Sequence, residues 1–398
     1  MIRTFLSCFL LLVNVVFLNA IEIGNTNLGG SIRANYVLGD YVKTGTGAAQ
    51  RGGDGGNMVL DVFTVKAKSN WEHFETTLEY RWYNGYNFFH TAMLEAKAFG
   101  GSMKLGVTRV PFGVGAFGPA NSWFFDQHFY LGLADDMDLG VHFSKNYETL
   151  SVDMAYFFSS EWQGKGASTS SSRYGYDIVN ENNKNGLYEE EHQLNLRIVK
   201  SVKLGFEFHP GASVQYGQLS GINGLSEDSD ALAIALHTKI NLSQWTFLIQ
   251  GTHYYYDAQY SALAKTTLGV DDDLIGMGAY DFAWPVASKG RIFSTAIAYT
   301  WKDVLNIAES VTLYHDYSLL IKDGDLAGKS FNDSALSVIG LSIANKGWYI
   351  YVDHGFSNGN YFVGNEGDNY SNNDVGDFGV NGNNKWNKRL NINFGYYF

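Results

Sequence analysis

The feature that most constrains this chain is a hydrophobic pattern with a period of two residues. In segment 74–82, apolar or aromatic side chains alternate with polar and mostly charged ones, and the same alternation is found at 150–158 and 390–398. A strand places alternate residues on opposite faces, whereas a helix would mix the two sets on every face. The pattern therefore predicts β-strands that have one apolar and one polar face.

Sixteen segments follow this pattern. They lie near 28–37, 58–68, 71–82, 90–99, 102–110, 137–144, 147–158, 189–200, 202–219, 230–242, 244–257, 290–301, 304–317, 333–344, 346–357 and 386–398. The broken alternation of the second segment predicts a bulge, and Pro210 in the ninth predicts either a bulge or a concealed turn.

Turns of one or two residues alternate strictly with long loops along the chain. The long loops lie near 38–57, 83–89, 111–136, 159–188, 220–229, 258–289, 318–332 and 358–385.

The alternating loop lengths favour a transmembrane barrel over the alternatives, an exported soluble β-sandwich or a solenoid. In bacterial barrels, short turns face the periplasm and long loops face outside. Most of the segments are close to the ~9–11 residues that a tilted strand needs to cross a bilayer. Since every backbone amide in hydrocarbon needs a partner, the sheet must also close. The sequence therefore predicts an all-β fold, an antiparallel transmembrane barrel of about 16 strands.

Composition and the first residues exclude several other classes of protein. The formal net charge of −12 argues against general binding of nucleic acid, and one cysteine, Cys8, excludes a disulfide scaffold. Residues 1–20 combine Arg3, an apolar stretch at 5–17 and a small residue, Ala20, which is the layout of a secretory signal peptide. We therefore expect export, followed by folding of 21–398 as one barrel domain.

The signal segment, the sixteen-strand pattern and the alternating last strand, which ends in Phe398, together resemble Gram-negative outer-membrane porins. Phe398 is similar to the signal read by the barrel-assembly machinery. A local resemblance to phosphate-selective porins covers 106–113 and 131–143. The resemblance implies an outer-membrane localisation, contact with membrane lipid, small solutes and ions as cargo, and a homotrimer.

The polar face of the strands is expected to line the lumen. A sixteen-strand barrel is too wide for its wall side chains to fill, so a water channel remains. Seven cations and seven anions lie on this face in the strand cores, which predicts a nearly balanced wall without a basic ladder. They are Arg81, Lys97, Lys104, Arg197, Lys203, Lys239 and Arg389, and Glu75, Glu79, Glu95, Asp153, Glu207, Asp316 and Asp353.

The third long loop, 111–136, is the candidate constriction. It is unusually apolar and carries Pro111 and Pro119, so we expect it to fold against the inner wall; packing at a subunit interface or over the outer rim is the alternative. It contains three aspartates and no lysine or arginine, which predicts a weak cation preference. The expected pore-lining and constriction residues are Glu75, Glu79, Arg81, Lys104, Asp126, Asp135, Asp136, Arg197 and Arg389.

The leading functional hypothesis is a passive diffusion channel for small hydrophilic solutes and ions. An anion- or phosphate-selective channel, a surface adhesin and a barrel enzyme are the alternatives. The sequence offers no credible pair of nucleophile and base, so we expect no enzymatic activity and no cofactor. The acidic runs 135–138 and 271–273 could bind Ca²⁺ or Mg²⁺, but the favoured interpretation is solvated loop charges, and no metal is expected.

Overall fold

The computed structural model describes most of the chain between Ala20 and Phe398. The described residues are 20–39, 56–83, 86–123, 126–162, 165–166, 187–222, 224–279, 282–326, 328–360, 363 and 386–398. The expected signal segment lies outside these residues apart from Ala20, so the signal peptide stays a prediction.

Sixteen antiparallel strands form one closed barrel, which confirms the predicted fold. Each strand pairs with its neighbours in the chain, and the last strand pairs with the first. In chain order, β1 to β16 are Thr26–Gly39, Asn57–Asn70, Phe74–Tyr83, Tyr86–Ala98, Gly101–Arg109, Met137–Asn146, Leu150–Ser160, Tyr188–Lys200, Glu207–Gly221, Ser229–Leu242, Trp245–Tyr256, Lys289–Val304, Ala308–Asp323, Ser334–Asn345, Trp348–Ser357 and Asn387–Tyr397.

The two faces of the strands differ as the alternation predicts. On β10, Ile234 and Leu236 are exposed on the outside of the barrel, whereas His237 is buried on the inside. Helical structure in the described residues is confined to a 3-10 turn, Phe129–Leu131, and helix α1, Ala262–Leu268. No helix among these residues is both long and apolar enough to cross a membrane.

The bulge predicted in segment 58–68 is confirmed. Arg33 lies opposite Val62 and Ala34 lies opposite Leu60, so Asp61 is the extra residue on β2. The Asp61 carboxylate meets the Arg33 guanidinium, with 2.9 Å between Oδ2 and the nitrogen. The break in alternation thus directs an acidic side chain onto an arginine of the neighbouring strand.

Several predicted short turns lie further along the chain than expected, and two of them show why. Val202–Lys203 pairs with the start of β9, which moves the turn predicted at Ser201 to 204–206. Pro210 remains within β9, where it lies opposite a residue of β10. The turn expected at Lys302-Asp303 lies at 305–307. Strand pairing continues past the apolar band, where both faces can carry polar side chains, and so the hydrophobic alternation ends before the strand does.

The barrel closes at the seam between β1 and β16. Their register runs from Ser31 opposite Tyr397 to Gly39 opposite Arg389. Beyond Tyr397, the Phe398 amide donates to the Gly30 carbonyl at 3.0 Å, and the Gly30 amide donates to the Phe398 carbonyl at 2.8 Å. The last residue therefore extends the hydrogen-bonded seam.

Deletion of Phe398 should destabilise this seam, because it removes two backbone hydrogen bonds that are each worth about 1 kcal/mol. Phe398→Ala keeps both bonds and serves as the matched control. We expect the deletion to lower the temperature at which the folded barrel changes its mobility in gel electrophoresis, and to do so more than the alanine variant. Equal temperatures for the two variants would contradict a role for the backbone pair.

Candidate pore constriction

The segment 111–136 runs inside the barrel and binds to strands far from its own ends. It leaves β5 and re-enters the wall at β6. Near its start, the Gly113 amide donates to Ser213 Oγ of β9 at 3.1 Å, and the Val114 amide donates to Gln250 Oε1 of β11 at 2.8 Å. These contacts favour the inner-wall hypothesis over the alternatives of a subunit interface or the outer rim.

Arg197 of β8 holds the same part of the segment. Its Nε donates to the Gly113 carbonyl at 2.7 Å, and its Nη1 lies 3.0 Å from an Asp153 carboxylate oxygen. Asp153 also receives a contact from His142 Nε2 at 3.2 Å. This predicted lumen residue thus faces inward, where it positions the loop backbone.

Two buried carboxylates bind the middle of the segment from the opposite part of the wall. Asp316 of β13 accepts hydrogen bonds from the backbone amides of Asn121 and Ser122, at 2.8 and 2.7 Å. Asp353 of β15 accepts one from the Trp123 amide at 3.0 Å. We call Asp316 and Asp353 the carboxylate latch. Three consecutive backbone amides are thus held by the wall, so this latch fixes the middle of the loop.

A glycine makes room for the latch. The Tyr314 hydroxyl donates to Asp353 Oδ1, and Gly340 lies between them on β14. A Cβ added to Gly340 would overlap both the Tyr314 ring and the Asp353 carboxylate. The missing side chain therefore allows the carboxylate and the phenol to meet.

The second half of the segment has its own buried core. His128 is fully buried, with Nδ1 2.8 Å from Asp126 and Nε2 2.8 Å from Thr252 Oγ1 of β11. The Asp126 carboxylate also accepts from the His128 amide at 2.9 Å. These polar groups fix the start of the 3-10 turn, whose aromatic and aliphatic side chains are buried.

A hairpin from the sixth long loop covers this core, and sequence reasoning missed it. Its strands are Leu274–Ala279 and Phe282–Ala287. Trp284 on the second strand is fully buried and donates from Nε1 to the Tyr130 carbonyl at 3.2 Å. The available signal was the pair of apolar stretches at 274–279 and 282–287, which follow the acidic run at 271–273.

Three ion pairs lie along β1 to β5, two of them within the wall and one between the wall and the loop. In each pair an arginine nitrogen lies 2.6 to 2.9 Å from a carboxylate oxygen. Arg81 is close enough to Arg33 and Arg109 to interact with both electrostatically. We call this group the arginine pairs. They are Arg33 with Asp61, Arg81 with Glu79, and Arg109 with Asp135.

The arginine pairs contact the loop through aromatic rings. The Arg33 guanidinium carbon lies 4.5 Å from the centre of the Trp123 ring, and that of Arg109 lies 5.1 Å from the centre of the Phe117 ring. Such cation–π contacts stabilise a guanidinium against a ring face. The loop and this part of the wall therefore border one another.

The other predicted wall residues lie apart from this group. Glu75 binds Lys68 at 2.8 Å, close to the short turn that follows β2. Lys104 of β5 is paired with Glu95 of β4 on one side and with His142 of β6 on the other. Arg389 is buried and donates to Asn391 Oδ1 at 3.0 Å. Sequence parity thus identified the inward face, but not which of its charges lie beside the loop.

The three loop aspartates do not face open solvent. Asp126, Asp135 and Asp136 are 3%, 3% and 5% exposed. Asp126 binds His128, and Asp135 binds Arg109. The interpretation of the run 135–138 as solvated loop charges is therefore wrong, because the loop folds over its own acidic groups when its apolar side chains pack against the wall.

No protein-family profile matches this sequence, and no curated protein matches it. Several solved structures do. OmpF of Salmonella typhi aligns with a TM-score of 0.57 and 12% identity over 96% of this chain and 100% of that one. The outer membrane channel DcaP of Acinetobacter baumannii aligns with a TM-score of 0.55 and 12% identity over 96% and 100%. The anion-selective porin from Comamonas acidovorans aligns with a TM-score of 0.52 and 12% identity over 94% and 99%.

At this level of identity the similarity concerns the fold alone. The barrel, its strand count and its near-complete coverage by these structures agree with the resemblance found in the sequence. The chain has the fold of Gram-negative outer-membrane porins.

Proposed function

We propose that the protein is a passive diffusion channel of the outer membrane, for small hydrophilic solutes and ions. Segment 111–136 and the arginine pairs form its constriction. The observation that carries this proposal is the carboxylate latch, which holds the backbone at 121–123 against the far wall of the barrel. A loop held in this way narrows the lumen on one side, and the arginine pairs border the space that remains.

Each arginine of this group has an acidic partner, so the group carries little net charge. A phosphate-selective channel would instead need a ladder of cations without such partners. We therefore propose a channel that selects mainly by size, with weak charge selectivity. Solutes cross it without a chemical step, so the proposal includes neither a cofactor nor an enzymatic activity.

We propose that the chain lies in the outer membrane after removal of residues 1–20. The barrel-assembly machinery would insert it, and Phe398 would be part of the signal that this machinery reads. The exposed outer face would contact lipid through side chains such as Leu236 and Phe293. A homotrimer is the assembly that the resemblance to porins implies. Chemical crosslinking of the purified barrel tests that assembly.

Replacement of both latch residues by alanine should release the loop, because it removes three hydrogen bonds to the loop backbone that are each worth about 0.5–1.5 kcal/mol. In planar bilayers we expect Asp316→Ala/Asp353→Ala to show a larger and noisier single-channel conductance than the parent. Gly340→Ala should act in the same direction by displacing Asp353. Glu72→Gln changes an exposed acid elsewhere and is the control. An unchanged conductance in the double variant would count against the constriction.

Ion selectivity should respond with opposite signs to the two members of one pair. Glu79→Gln leaves Arg81 in excess and should move the reversal potential towards anions, whereas Arg81→Gln should move it towards cations. Both shifts should fade in 1 M salt, where the screening length falls to about 3 Å. Shifts of the same sign, or none at all in dilute salt, would remove this pair from the constriction.

A further inference from the structure

Three buried carboxylates meet at the end of the barrel that carries the long loops. Asp136 closes segment 111–136, Asp138 follows on β6, and Glu161 follows directly after β7. Each offers one ligand oxygen, and these oxygens lie within 4.8 Å of one another. The side chains are 5%, 0% and 5% exposed. We call these three residues the rim carboxylates.

The chemistry of the rim carboxylates suits calcium. Three oxygens within 4.8 Å of one another can share one cation after a small movement of the side chains. Ca²⁺ takes about 6–8 oxygen ligands in a flexible geometry, including bidentate carboxylates and amide carbonyls, whereas Mg²⁺ usually keeps several waters and is seldom held by protein oxygens alone. A buried set of protein oxygens therefore favours calcium.

A neutral ligand lies beside the carboxylates. Gln193 of β8 is 1% exposed, and its Nε2 donates to Asp138 Oδ2 at 2.9 Å. A carboxylate only accepts here, so this bond fixes which end of the amide carries oxygen. Among the described residues, Gln193 Oε1 has no hydrogen-bond partner. Because both atoms share one carbon, the bond to Asp138 keeps this buried oxygen next to the rim carboxylates.

A bound cation would satisfy the Gln193 oxygen. A buried amide oxygen without a hydrogen-bond donor is destabilising, and a cation held by the adjacent carboxylates would be its ligand partner. An oxygen-only set of three carboxylates and one amide is the ligand type that hard divalent cations prefer. The adjacent Asp135 already binds Arg109 at 2.8 Å, so it belongs to a separate ion pair.

We propose that Asp136, Asp138, Glu161 and Gln193 Oε1 form a calcium site. The ion would join the last residue of segment 111–136 to β6, β8 and the end of β7. It would therefore fix the exit of the loop at the outer rim, while the carboxylate latch fixes its middle. This site is independent of whether the barrel conducts solutes.

Titration of CaCl₂ into the detergent-purified full barrel, after EDTA treatment, tests the proposal by calorimetry. We expect one saturable site per chain. Asp138→Asn/Glu161→Gln should weaken it at least tenfold, and Gln193→Leu, which leaves every carboxylate in place, should weaken it as well. Glu72→Gln, at an exposed acid, is the control that should bind like the parent. At 100 times the dissociation constant, calcium should raise the parent's unfolding temperature by about 3 °C.

Three results would overturn the proposal. The first is a parent that binds no calcium, and the second is a double variant that binds calcium as tightly as the parent. The third is a parent whose unfolding temperature changes with neither calcium nor EDTA. Heat-modified mobility in EDTA shows that each variant is folded before titration. If the double variant fails to fold, Gln193→Leu alone decides the outcome, since equal affinity in that variant would remove Gln193 from the site.

Discussion

A sheet that crosses a bilayer must give every backbone amide a hydrogen-bond partner within the protein. A sheet meets this requirement only when its first and last strands pair, and here β1 and β16 do so along nine residue pairs, with Gly30 and Phe398 extending the seam. Once the sheet is closed, one face of each strand is exposed on the outside, the other faces a lumen, and the long loops gather at one end.

The lumen then becomes the place where polar chemistry and a folded loop can coexist. Wall carboxylates that would be costly against lipid are bound here by backbone amides, as Asp316 and Asp353 are by residues 121–123. The aromatic side chains of the loop face guanidinium groups and the hairpin of the sixth loop. The loop is held at its start by Arg197 and in its middle by the carboxylate latch, and the proposed calcium ion would fix its exit.

Sequence reasoning predicted the barrel, its strand number and the inward loop because these follow from periodicity and loop length, which are local properties. It also predicted the bulge at 58–68, but not that Asp61 would meet Arg33, since that pairing depends on register between strands. The apolar character of 111–136 predicted burial. It did not predict that Asp126 and Asp135 would be buried too, because their partners come from the folded loop itself and from the end of β5. The burial of Trp284 was not predicted either, because its hydrogen-bond partner, the Tyr130 carbonyl, belongs to the folded loop.

We propose that segment 111–136 lies in the conducting lumen, and the accessibility of introduced thiols tests this placement. The only cysteine in the chain is Cys8, within the expected signal segment, so a single introduced cysteine can be labelled alone. Phe117 is exposed on the loop beside Arg109, whereas Leu236 is exposed on the outer face. A bulky charged thiol reagent added to the bath should reduce the single-channel current of Phe117→Cys and leave that of Leu236→Cys unchanged. An unchanged current through labelled Phe117→Cys would show that segment 111–136 does not lie in the conducting lumen.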